Sequence, residues 1–291
     1  NDARFPERAI QSCLDQAGIT AGDLAAVAFY EKPILKFSRT LEVFLGWAPR
    51  GGRAFARAIP DWLGGRLDLR GRIRSALPKL RVDCPILFTT HHEAHAASAF
   101  FPSPFAEAAI LTVDGVGEWA TTTIARGSGA TIEPLEEIQF PHSLGLLYSA
   151  FTAYCGFRVN SGEYKLMGLA PYGEPHWVDT LLEEVVSLHE DGSFRLNLEY
   201  LDPLAEDHLT NARFHDRFGG PPRRPDEPLE KRHLDLARSI QAVTERALLG
   251  LVRRAHEQTG SAHLCLAGGV ALNCVANGRI LREGPFEKLW I

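Results

Sequence analysis

Three histidines stand within five residues in His91-His92-Glu93-Ala94-His95. They follow an apolar run at residues 85–88 and the pair Thr89-Thr90, and the next residues, Ala-Ala-Ser-Ala-Phe-Phe, are small or apolar and suit a buried helix. On a helix, His91 and His95 lie one turn apart on one face. That is the geometry in which two neutral imidazoles hold one metal ion. Histidines in globular chains are commonly polar surface or satisfied core. Three so close together, opening an Ala-rich helix straight after a strand, favour a site. His92 is a candidate general base by position alone, against the plainer reading of a solvent-facing or core-capping ring. The zinc-protease pattern His-Glu-x-x-His does not fit, because a single residue separates Glu93 from His95, and no third-ligand pattern supports a protease.

Other stretches could serve the same chemistry. The buried run 108–113 ends in Asp114-Gly115-Val116-Gly117-Glu118-Trp119, and residues 121–125 resume as a strand, which predicts a hairpin. An acid at a strand end followed by glycines suits metal ligation or close approach of backbone amides to phosphate; a polar turn is the bland alternative. With the histidines, Asp114 completes two imidazoles and a carboxylate, a common ligand set. Glu163 and Lys165 lie in a Gly-punctuated, otherwise apolar segment, 160–173. Burying them is costly unless they pair or bind a ligand. Gly268-Gly269 falls between a short strand, 263–266, and a helix reaching about Arg282. That arrangement presents backbone amides to a phosphate or ribose, although it is neither G-x-G-x-x-G nor a P-loop. It serves tight strand–helix packing equally well.

The elements that must position these groups can be read from apolar spacing. Residues 6–17 predict a helix that stops at Gly18, and 24–30 a short strand. Residues 34–80 are basic, aromatic and helical in tendency, and carry no chemistry with any specificity. An apolar helix is expected over 143–155, an irregular excursion over 190–231, a long helix from about His233 to His256, and the start of a strand over 287–291. A chain of 291 residues, 45% hydrophobic and 23% charged, is long enough for real cores. Its net charge of -5 makes no electrostatic case for nucleic acid or anionic membrane. No apolar run approaches the ~20 residues that span a bilayer. The five cysteines are scattered without a C-x-x-C and read as reduced, buried thiols of a cytoplasmic protein.

Four of these stretches occur in one order: His91 to Phe100, Asp114 to Trp119, Glu163 to Gly173 and Leu266 to Asn273. Together, over essentially the whole chain, they resemble the O-carbamoyltransferases of nodulation-factor and antibiotic tailoring, the NodU/CmcH type. The resemblance implies an α/β domain of the actin/Hsp70-like ATPase superfamily (ASKHA, ribonuclease H-like), akin to the threonylcarbamoyl-transferase of tRNA modification. It implies that ATP and carbamoyl phosphate give a carbamoyl-adenylate, whose carbamoyl group passes to a hydroxyl of a small-molecule acceptor such as a sugar or aminoglycoside. Neither nucleic acid nor membrane would be a partner, and a homodimer is compatible. By motif, His91, His95 and Asp114 would hold iron(II) or another divalent metal, Gly268, Gly269 and Asn273 would meet the adenylate, and Lys165 and Glu163 would help position substrate.

The family's first strand and basic motif are expected before Asn1, and a further metal-binding aspartate and the adenylate-forming domain beyond Ile291. Residues 1–291 are therefore expected to be a transferase domain truncated at both ends and inactive alone. The rival readings are a tRNA threonylcarbamoyl-transferase-like protein, another ATPase or sugar kinase of the superfamily, and a non-catalytic, metal-stabilised fragment.

Overall fold

A computed structural model describes residues 5–48, 52–62, 64, 67–202 and 209–291. The chain forms two compact units, residues 1–91 and 92–291. In the first, helix α1 (Glu7–Ala17) ends where Gly18 takes the left-handed conformation, φ 66°, as its sequence predicts. Strand β1 (Val27–Phe29) follows, then helices α2 (Pro33–Trp47), α3 (Gly52–Asp61) and α4 (Leu69–Ala76), and strand β2 (Ile86–Phe88). β1 is shorter than the apolar run around it because only Val27, Ala28 and Phe29 find partners, in parallel register with Ile86, Leu87 and Phe88. Leu14, Leu69, Ile73, Leu77 and Ile86 form the core of this unit.

The second unit is α/β. Helix α5 (His91–Phe100) leads into strands β3 (Glu107–Val113), β4 (Ala120–Ser128) and β5 (Thr131–Gln139). Helices α6 (Leu144–Tyr154), α7 (Glu163–Leu169) and α8 (Val178–Thr180) precede a small hairpin of β6 (Val186–Leu188) and β7 (Phe194–Leu196). The chain ends with α9 (Ala212–Arg217), α10 (Lys231–Thr259), β8 (His263–Ala267), α11 (Cys274–Glu283) and β9 (Lys288–Trp290). The main sheet runs β5-β4-β3-β8-β9, antiparallel between β3, β4 and β5 and parallel across β3, β8 and β9.

β3 is the central strand, and its alternation assigns each helix a face. Ala109, Leu111 and Val113 pack in one cluster with α6 and α10, whereas Ala108 and Ile110 pack with Ala96, Ala99 and Phe100 of α5. The expected hairpin at 114–119 is present, and α6 begins where Ser143 caps it by accepting from the Leu146 amide at 3.0 Å. β5 has no counterpart in the sequence reading. Its segment, Thr-Ile-Glu-Pro-Leu-Glu-Glu-Ile-Gln, carries three glutamates and a proline, which an edge strand tolerates and a central one does not. The stretch 190–231 is less irregular than expected. Phe194, Tyr200, Phe214 and Phe218 are core residues, while residues 203–208 lie outside the described ones. Among the described residues no helix is long and apolar enough to cross a membrane. The cysteines divide differently from expectation: Cys84, Cys155 and Cys265 are buried, but Cys13 and Cys274 are exposed.

Candidate metal centre

Helix α5 lies on the sheet through a stripe of His92, Ala96, Ala99 and Phe100, all buried. The spacing i, i+4, i+7, i+8 defines the core face of a helix. His91 and His95 fall one position off this stripe, at its half-buried border. There they meet the end of β3, where Asp114 follows the last strand residue. His91, His95 and Asp114 each offer one ligand atom, and these atoms all lie within 4.8 Å of one another. His91 closes the first unit by sequence, yet it is the first residue of α5, so that helix places its ring. His95 Nε2 is 3.0 Å from Asp114 Oδ2.

The carboxylate is held from behind. Asp114 Oδ1 accepts from the backbone N–H of Gly115 at 2.8 Å and of Gly269 at 3.2 Å. Those bonds direct Oδ2 to the histidine side. Ser143 Oγ, buried, donates to the carbonyls of Asp114 and Gly115 at 3.0 and 2.6 Å. Two glycines permit the close approach. A Cβ on Gly268, which sits at φ 93°, would come within 2.3 Å of the Val113 carbonyl, and one on Gly145 within 2.6 Å of that of Asp114. Ser143 went unread as a site residue. Its only signal was the N-cap position before an apolar helix, which says nothing about what else its hydroxyl reaches.

The other expected residues are not brought to this cluster. His92 is 4% exposed and faces the sheet, with Nδ1 2.6 Å from Thr112 Oγ1. Glu163 and Lys165 do not form the buried ion pair that their apolar surroundings suggested. Lys165 is exposed, its ammonium 6.0 Å from the Tyr164 ring centroid. Glu163 opens α7 and accepts from Ser149 Oγ and the Asn160 amide, both at 2.9 Å, and from the Gly162 amide at 3.1 Å. Asn273 is buried and makes a reciprocal amide pair with Gln241, at 3.0 and 2.9 Å, while its Oδ1 caps α11 by accepting from Ala276. Tyr148 donates to Gln241 Oε1 at 2.9 Å. Burial first, then the nearby Glu245 charge, pushes that phenol well above its ordinary pKa, so it stays a neutral donor.

Comparison with known proteins identifies the family. The family model described as carbamoyltransferase N-terminus matches residues 1–291. The chain belongs to this carbamoyltransferase family. An uncharacterized protein of Synechocystis sp. is 54% identical over 297 residues, covering 100% of this chain and 48% of its own length. Nodulation protein NolNO of Sinorhizobium fredii is 34% identical, over 99% of this chain and 39% of that protein. Nodulation protein U of the same species is 24% identical, over 100% of this chain and 54% of its own. The chain thus spans about half, or less, of the length of these relatives.

The donor set of His91, His95 and Asp114 fits a divalent metal. Two imidazole nitrogens and one carboxylate oxygen suit iron, zinc and similar ions of intermediate softness. The backbone amides on Asp114 Oδ1 supply the outer-shell support that ligating carboxylates require.

Proposed function

We propose that this chain is the metal-bearing part of an ATP-dependent O-carbamoyltransferase. The enzyme would move a carbamoyl group from carbamoyl phosphate, through carbamoyl-adenylate, to a hydroxyl of a sugar or similar small acceptor. One observation carries the reading: in a chain of this family, His91, His95 and Asp114 converge on one point. Those three would hold iron(II) or another divalent ion. When bound, the ion would supply Lewis-acid polarisation or orientation of the anhydride and its phosphate.

The chain's own groups have simpler duties. The Gly115 and Gly269 amides orient the carboxylate. Gly268, without a side chain, lets the 268–273 turn lie against β3 and leaves its backbone to approach the adenylate. Asn273 would shape that turn from beneath, through Gln241 and its cap on α11. Beside α8, α10 and α11, a cavity of about 520 Å³ is lined by Arg238, Arg246 and Arg279 and by Asp179, Glu245 and Glu283, with Arg279 paired to both glutamates. It supports the ATP assignment with room alone, since its acids balance its arginines. Lys165, exposed on α7, is available to an anionic substrate group, and Glu163 holds the start of α7. Three antiparallel strands continued by two parallel ones, with helices on both faces, support the actin/Hsp70-like fold.

Metal content and carbamoyl transfer, measured on the full-length protein and on its His91→Ala/His95→Ala variant, test the reading. The wild type should carry stoichiometric metal, and the variant should lose both metal and transfer to background. A variant that keeps its metal and turnover overturns the proposal.

A further inference from the structure

The contact between α5 and the sheet is apolar: Ala96, Ala99 and Phe100 of the helix pack with Ala108, Ile110, Ala125 and Ala267 of the sheet, and the Phe100 ring fills the space that Gly127 leaves on β4. Apart from that ring, the alanines supply burial but few steps that would stop the helix from turning on its support. Yet the metal ligands sit at the border of this contact, and only one alignment puts His95 opposite Asp114. A displacement of one helical turn, 5.4 Å, would separate two groups now 3.0 Å apart.

One polar feature interrupts the apolar stripe. His92 Nδ1 meets Thr112 Oγ1 at 2.6 Å, and Thr112 Oγ1 meets Thr123 Oγ1 on β4, also at 2.6 Å. His92 and Thr112 are 4% and 0% exposed. A buried polar group carries a desolvation cost unless its partner is in place, so this chain is satisfied at one register and penalised at others. Buried polar pairs set register in this way in helical assemblies. Thr112 also lies two residues before Asp114 and on the same face of β3, while His92 lies three before His95 on α5. The pair therefore ties together the two elements that carry the ligands.

We infer that His92 is a positioning residue that, through Thr112, sets the register of α5 on β3 and so brings His95 opposite Asp114. The inference rests on the reading of His91, His95 and Asp114 as a metal site. It removes His92 from acid–base chemistry and assigns a role to Thr112, which carries no motif.

Cobalt(II) titration of the full-length protein, followed by visible absorption, tests it. Thr112→Val removes the hydroxyl while keeping the shape, His92→Phe keeps a ring without nitrogen, and Thr112→Ser restores the hydroxyl. Loss of an outer-shell partner typically weakens metal binding 10–100-fold. Thr112→Val and His92→Phe should show a weakening of about that size and an altered cobalt spectrum at saturation, and Thr112→Ser should recover both. A purely structural role would lower the melting temperature and leave the saturated spectrum unchanged. Should His92→Phe fail to fold, the Val and Ser variants at Thr112 decide. Wild-type affinity and spectrum in Thr112→Val overturn the inference alone. Failure of the wild type to bind cobalt, or equal binding by His91→Ala/His95→Ala, overturns the metal reading and the inference with it.

Discussion

Two polar clusters in this chain are built on opposite principles. At the end of β3, two imidazoles and a carboxylate converge at a half-buried border. Between α10 and α11, Tyr148, Gln241 and Asn273 bond to one another in the interior, each mainly satisfying its neighbour. The second arrangement is complete as it stands and stabilises the packing of three helices. The first gathers three metal-ligating groups where helix and strand geometry alone would not require them. Residue type does not separate the two, since polar side chains dominate both. What separates them is where the hydrogen bonds go: into the fold, or toward a shared point. The same contrast divides the histidines. His142 Nδ1 accepts from the Leu196 amide at 3.1 Å and His233 Nδ1 from the Glu230 amide at 3.0 Å, so both rings serve the backbone.

If that distinction holds, each cluster should fail in its own way. The largest effect on folding is expected from Asn273→Ala. It removes two buried hydrogen bonds from Gln241, which keeps those to Tyr148 and Glu245, at about 0.5–1.5 kcal/mol each, and removes the α11 cap, at about 1 kcal/mol. Urea denaturation should show a combined loss of roughly 2–4 kcal/mol, with metal content retained under native conditions. Loss of metal from the folded variant would show that the amide pair belongs to the site, and the contrast would collapse.

A smaller effect is expected with pH. Burial lowers the affinity of both His142 and His233 for a proton. An unfolded-state histidine protonates near pH 6.5. As pH falls below about 6.5, the unfolded chain gains protons that the folded chain resists, and stability drops until the folded rings titrate as well. Denaturation midpoints at pH 7.5 and 5.5 measure the slope, which His233→Gln should flatten. An unchanged slope in that variant would remove His233 from the group of histidines committed to the fold.

The mildest test leaves the sequence untouched. Cys13 and Cys274 are exposed, whereas burial holds the Cys84, Cys155 and Cys265 thiols away from reagent and pushes Cys155 up to about 12. Brief alkylation of the native protein near pH 8, read by mass spectrometry, should label Cys13 and Cys274 and spare the other three. Labelling of Cys155 at a comparable rate would mean that the interior around Tyr154 and His233 opens readily.

Much of this was legible in the chain itself. The spacing of His91 and His95, the strand before them and the small residues after them define a helix that presents two imidazoles together. Asp114 was legible as an acid at the end of a buried strand. Less visible were the features whose meaning depends on a distant partner. Glu163 looked like half of an ion pair, but its carboxylate turns to the nearby amides of Asn160 and Gly162. Asn273 looked available to a ligand until Gln241, 32 positions earlier, came opposite its amide. β5 was hidden because an edge strand needs no continuous apolar run.

The sequence by itself therefore determined the periodic elements, the family to which the chain belongs and the identity of the three candidate ligands. These depend on local spacing and side-chain chemistry, which a linear pattern carries. Only the tertiary structure decided that His92 faces Thr112 while His95 faces Asp114, and that the Gly269 amide reaches back to brace the carboxylate. Neighbouring helix positions differ by about 100° in direction, so adjacent histidines take opposite roles once the helix has a sheet to lie on. Nothing local says which face that sheet will cover.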